Sequence, residues 1–79
     1  MMISIGTRIY NKGDMSNRTR RGVITAEKSD DFGTWVDVQY DDGSADHMPK
    51  SEIGTTFAGH AGTRIVTEAA YDEYRSRAV

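Results

Sequence analysis

The sequence predicts one small, mainly β domain of five strands, and three observations carry that prediction. Apolar and polar residues alternate with a period of two over residues 3–10 and again over residues 34–40, the pattern of a strand with one buried face. Asp41-Asp42-Gly43 stands between two strand-like runs, and an Asp-Gly pair in that setting marks a tight hairpin because glycine tolerates the positive φ the turn demands. At 79 residues the chain has the length of one domain.

Taken in order, Ile3, Ile5, Thr7 and Ile9 alternate with Ser4, Gly6, Arg8 and Tyr10, so a half-buried strand opens the chain. Residues 11–21 are polar, carry Gly13-Asp14 and Ser16-Asn17 as turn signals, and read as a long surface loop. Gly22 opens a second strand that runs to Lys28, and Ser29-Asp30-Asp31-Phe32-Gly33 is a turn. The third strand places Val36, Val38 and Tyr40 on one face and Trp35, Asp37 and Gln39 on the other. Residues 44–48 form the return strand. Pro49-Lys50-Ser51-Glu52-Ile53 predicts one turn of tight helix, with Pro49 setting the entry and Ile53 pointing inward.

Residues 55–62 are small and glycine-rich and read as a flexible connection, and Thr63-Arg64-Ile65-Val66 reads as the closing strand. Thr67 can cap a short helix over residues 68–77, where Ala and Glu favour helix and Glu73 and Arg77 sit four apart; a continued strand is the alternative. A helix that short is marginal alone, so Tyr71 and Tyr74 must pack on something. The expected division is a body over residues 1–66 and an extension over residues 67–79 that packs on it.

A strand, a long loop, a three-strand meander, a tight helical turn and a final strand make the order of an SH3-like barrel. Gly6-Thr7-Arg8-Ile9-Tyr10, then Gly13, then Gly22-Val23-Ile24 resembles the opening of KOW modules in ribosomal and transcription-factor proteins. Val36-Asp37-Val38-Gln39-Tyr40-Asp41-Asp42-Gly43, followed by Met48-Pro49-Lys50-Ser51-Glu52-Ile53, resembles the second half of a Tudor domain. The resemblance covers residues 5–54 and implies a single five-stranded SH3-like barrel. Such folds serve RNA, methylated peptides, proline-rich peptides and scaffolding alike, so function does not come with the fold. In size, acidity and stand-alone organisation the chain also resembles small proteins carried by phages and mobile elements. That likeness implies an inhibitor of a host protein complex, such as an anti-restriction or anti-CRISPR protein.

Composition narrows the field further. There is no cysteine, which excludes disulfides and Cys-based metal sites. A chain this short hides only about 60% of its unfolded surface, so its core is thin and a homodimer or a docked partner is expected. No apolar run approaches the ~20 residues that cross a bilayer, and the first residues lack a basic, apolar leader; a cytoplasmic setting with no membrane partner is the expectation. The net charge of −2 is unevenly spread. Arg8, Lys12, Arg18, Arg20, Arg21 and Lys28 crowd the first third, and Asp30, Asp31, Asp37, Asp41, Asp42, Asp46 and Glu52 the middle. Two faces of opposite sign would suit docking to a protein or head-to-tail self-association.

These features lead to a non-catalytic protein-interaction module, with Trp35, Phe32, Tyr10 and the Arg18, Arg20 and Arg21 loop as the partner-binding residues. Trp35 either faces outward as an indole anchor or lies under the tail beneath Tyr71 and Tyr74. Tyr10, Phe32, Trp35 and Tyr40 with Asp37 or Asp41 are the ingredients of an aromatic cage, although residues 12–21 supply no ring to it. The arginine fork suits phosphates and carboxylates equally, so RNA or DNA binding in the manner of KOW modules is the second expectation. An enzyme with a site shared between subunits ranks third. Val38-Gln39-Tyr40 lacks the middle residue of the Val-Gln-Ile-Tyr of plasmid-borne type II dihydrofolate reductases. No cofactor or metal is expected. Gly59-His60-Ala61-Gly62 lacks the Lys and Ser/Thr of a phosphate loop, and His47 and His60 stand apart, with Asp46 the only acid beside His47.

Overall fold

Backbone pairing begins where the alternating residues meet each other across the chain. A computed structural model describes residues 3–13, 18–57 and 64–77. The turn signals at residues 14–17, the connection over residues 58–63 with His60 in it, and residues 1–2 and 78–79 lie outside the described residues. Strand β1 (Arg8–Asn11) pairs antiparallel with β2 (Arg20–Asp30), β2 with β3 (Gly33–Tyr40), and β3 with β4 (Ala45–Pro49). A 3-10 turn (Lys50–Glu52) leads into β5 (Ile53–Gly54); β6 (Ile65–Thr67) then pairs antiparallel with β1, and α1 (Glu68–Arg77) follows directly. The sheet order is β4-β3-β2-β1-β6-β5; the structure is mainly β, and the sheet curls into a half-barrel.

Among the described residues six strands stand where the sequence predicts five. The added strand is β5, two residues that pair in parallel with β6 through Ile53 opposite Ile65 and Gly54 opposite Val66. The 3-10 turn produces it: Pro49, at φ −61°, directs the chain into the turn, and Ile53 leaves it buried and extended beside β6.

Curling gives the sheet an inner and an outer apolar cluster. Ile9, Ile24, Val36, Val38, Tyr40, Met48, Ile53 and Ile65 fill the inside, with Ile3 packed against them. Tyr10, Val66 and Ala70 form the outer cluster under α1, joined by Phe57 and Tyr71. Adjacent residues Ile9 and Tyr10 therefore serve opposite clusters, as do Ile65 and Val66, because successive side chains of a strand point to opposite faces. β6 is buried along its whole length, whereas β3 keeps the half-buried alternation expected of it, with Val36, Val38 and Tyr40 inside.

Three local departures from the expected strands bear on the site. The first strand starts at Arg8, not Ile3. Gly6 takes φ +92°, and Ser4 N donates to Thr7 Oγ1 at 3.0 Å, closing a turn that leaves Ile5 exposed. Second, Arg20 and Arg21 belong to β2 rather than to a loop, opposite Asn11 and Tyr10. Third, the β2–β3 register shifts between Ile24 and Ala26. This bulge moves the later residues of β2 to the other face: Ile24 sits inside, yet Lys28 pairs with the outward Trp35.

The Asp-Gly hairpin forms as the sequence implies. Gly43 takes φ +92°, and its N–H donates to the Tyr40 carbonyl at 3.0 Å. At the other end of the chain Thr67 accepts from Ala70 N at 3.2 Å through its Oγ1, the cap that starts α1 in place of a continued strand.

Candidate functional site

The β2–β3 hairpin outruns its neighbours. β1 pairs with β2 no farther than Val23, and β4 pairs with β3 no farther than Trp35, so residues 29–34 pair only with each other. Asp31 and Phe32 make the turn, fastened by Phe32 N donating to Asp30 Oδ1 at 2.8 Å. Phe32 carries the consequence: the residue is 92% exposed. A phenyl ring left in water forgoes about 1.5–3 kcal/mol of burial, which makes the tip a natural place for a partner to cover.

Trp35 lies on the outer face of the same hairpin, half-buried. Lys28 stands opposite it on β2 and Pro49 on β4. Its indole stacks on the His47 ring with centroids 5.2 Å apart and planes 5° from parallel. His47 is in turn held by Asp37, with Nδ1 2.6 Å from Oδ1. Trp35 thus faces outward, and among the described residues the tail does not cover it; Tyr71 and Tyr74 pack with Tyr10 and Phe57. Phe32, Thr34, Trp35, Pro49, Lys50 and Ser51 line an open groove of about 420 Å³ that runs from the hairpin tip to the 3-10 turn. Lys50 is anchored at the groove by Glu27, 2.6 Å away.

The arginines lie on another part of the molecule and are engaged within it. The Arg20 guanidinium sits 4.1 Å from the centre of the Tyr40 ring and donates to Ser44 Oγ at 3.1 Å. Arg21 lies over Tyr10 and Tyr71 and pairs with Glu68 at 3.2 Å and Asp72 at 3.4 Å. Arg8 grips Asp41 through both Nη atoms, at 2.9 and 2.7 Å, and reaches Glu68 at 3.3 Å. That grip holds the Asp41 carboxyl below the usual carboxylate range, and the Ser44 hydroxyl and N–H do the same for Asp42. Arg18 alone of the three stays exposed and makes no ion pair among the described residues.

The two charged stretches that look separate in sequence therefore meet in space. Arg18, Arg20 and Arg21 share one open cleft with Asp41, Asp42 and Ser44. Part of the basic stretch and part of the acidic stretch thus lie side by side here, with Asp41 already paired with Arg8, while Asp30, Asp31, Asp37, Asp46 and Glu52 stand outside the cleft.

Tyr10 has no open ring face. It is 8% exposed, stacked on Tyr71 at 3.7 Å and flanked by the Phe57 edge at 6.1 Å. The four rings considered for a cage are dispersed: Tyr10 under α1, Tyr40 inside the half-barrel, Phe32 at the tip and Trp35 on the outer face. The aromatic cluster that does form is Tyr10, Phe57, Tyr71 and Tyr74, with Phe57 4.8 Å from Tyr74. Among the described residues no three His, Asp or Glu side chains gather into a metal-holding group, and no helix is long and apolar enough to cross a membrane.

Of the expected partner-binding residues, then, the fold brings together Phe32 and Trp35 and sets Tyr10, Arg20 and Arg21 apart from them. His47, Pro49, Lys28 and Lys50 join the pair and were not foreseen. A signal for two of them was present: the tight turn sets Gln39 opposite Ala45, and counting outward by twos puts Asp37 opposite His47 and Trp35 opposite Pro49. The chain matches no protein-family model, no curated protein and no solved structure.

Proposed function

We propose that this chain is a non-catalytic protein-interaction module that docks its partner on the tip and outer face of the β2–β3 hairpin. The observation that carries the reading is Phe32, 92% exposed and set beside the half-buried Trp35. Aromatic anchors in a desolvatable patch supply most of the binding energy at protein interfaces, and a polar rim surrounds them. Here Lys28, Lys50, Asp30 and Asp31 provide such a rim. The engagement of Arg20 and Arg21 with the chain's own rings and carboxylates supports a protein partner over nucleic acid, which needs free cations along a backbone track.

An SH3-like barrel is the architecture we propose for the module. The order of its elements supports it: a meander from β1 to β4, a 3-10 turn, and a last strand that returns to pair with β1. In the inhibitor form of this reading the partner is a host protein complex.

The test is affinity capture from a lysate of the native host, nuclease-treated, with wild type, Phe32→Ser and Arg18→Ala as baits. A protein retained by wild type and Arg18→Ala but lost by Phe32→Ser is the expected result. Capture that survives Phe32→Ser, or that disappears with nuclease and with Arg18→Ala, would overturn it. Phe32 makes the better probe because Trp35 also supports His47, so its removal would disturb the sheet.

A further inference from the structure

The hairpin carries both a protruding ring and a groove able to receive one, and we infer that the partner of this patch is a second copy of the chain. In the contact, Phe32 of each copy enters the Trp35–Pro49 groove of the other. The inference rests on the protein-interaction reading and names its partner.

Geometry supplies the first argument. Phe32 and Trp35 are neighbours along one strand end, so a two-fold axis beside Gly33 and Thr34 sets two hairpins antiparallel and makes both insertions at once. A two-fold contact requires a surface complementary to itself, and here one short segment offers both halves. The groove, at about 420 Å³, has room for a phenyl ring, and Trp35 and Pro49 give it an apolar floor.

Charge supplies the second. The tip that presents Phe32 is acidic, through Asp30 and Asp31, while the strand position opposite Trp35 carries Lys28, since Lys50 in the groove lining is already paired with Glu27. Asp31 and Lys28 make no ion pair among the described residues. Symmetry sets Asp31 of one copy beside Lys28 of the other at two equivalent contacts, whereas a foreign protein would have to supply a matching acid and a matching ring of its own. Like charges would meet only if the copies approached tip to tip, which favours the side-by-side arrangement.

Sedimentation analysis over a wide concentration range tests this, with circular dichroism to establish that each variant folds. Wild type is expected to self-associate reversibly, and Phe32→Ser to weaken that association by about tenfold or more. Asp31→Lys and Lys28→Glu avoid the bonds that Asp30 and Lys50 make, and each alone should weaken it as well. Their equimolar mixture should recover a dimer, because the mixed pair sets opposite signs against each other at both contacts. A wild type that stays monomeric, a dimer indifferent to Phe32→Ser, or a mixture that fails to recover would each overturn the inference. If wild type is monomeric while Phe32→Ser still loses a captured protein, the second copy is rejected and the protein-interaction reading stands.

Discussion

Gly22 sits across from Tyr40, and a Cβ built on it would lie 2.6 Å from the Gln39 carbonyl oxygen and 3.0 Å from the Tyr40 ring. Nothing in that contact can move cheaply, since one neighbour is backbone and the other is a core ring held by Asn11. Gly22→Ala should therefore destabilise the fold by about 1–3 kcal/mol, read as a lower urea midpoint. Asn11 is the second residue of this kind: fully buried, it donates to the Tyr40 hydroxyl at 3.1 Å and accepts from Gly13 N at 2.8 Å. Asn11→Ala strands the Gly13 N–H and leaves the Tyr40 hydroxyl only its longer bond to Asp46, and should cost about 1–3 kcal/mol in the same assay. Neither role was legible in the sequence. Gly22 reads there as a strand opening and Asn11 as the first residue of a loop, because both depend on where Tyr40 arrives from 18 and 29 residues away, respectively.

At the scale of elements, α1 is held by few contacts. Ala70 is its one buried residue among those described, so the helix relies on the Tyr71–Tyr10 stack and on Glu68 and Asp72 against Arg8 and Arg21. Thr67→Ala removes its cap and should lower stability by about 1 kcal/mol, with the loss appearing first as faster hydrogen exchange at the amides of the helix's first turn. The β3–β4 turn is tied to β1 by the Arg8–Asp41 pair. Because that pair lowers the Asp41 value, its stabilisation is present above the unfolded-state carboxylate value of about 3.9 and is lost as pH falls through the lower folded-state value. Asp41→Asn should thus unfold at a lower urea concentration than wild type at neutral pH and converge with it in strong acid; curves that stay parallel throughout would contradict this.

Elements were also what the sequence disclosed best. The β3 alternation, the Asp-Gly turn, the 3-10 turn after Pro49 and the Thr67 cap are local, each decided by a few adjacent residues. The turn over residues 4–7 was hidden because a period-two pattern runs through it unbroken, and the bulge after Ile24 because residues 22–28 carry no alternation that would mark a change of face. That bulge is what delivers Lys28 to the face of Trp35, so part of the candidate site was beyond the reach of sequence periodicity.

For the whole molecule, folding pairs Arg8 and Arg21 with acids distant in sequence and leaves two large rings accessible at one end of the hairpin. Arg8 and Arg21 close on Asp41 of the β3–β4 turn and on Glu68 and Asp72 of α1, while the rings at residues 32 and 35 stay at one end of the hairpin. A partner that recognised charge would find Arg8 and Arg21 already paired on the first side; a partner that recognises a ring and a groove finds both on the second. Trp35 is the only tryptophan in the chain, so its fluorescence reports on that surface alone. The most direct measurement is its emission across a dilution series, by itself and then with any captured protein, for wild type and Phe32→Ser. The account predicts a blue shift as the patch is covered in wild type and none in Phe32→Ser. Emission that stays constant at every concentration and with every captured protein would contradict it.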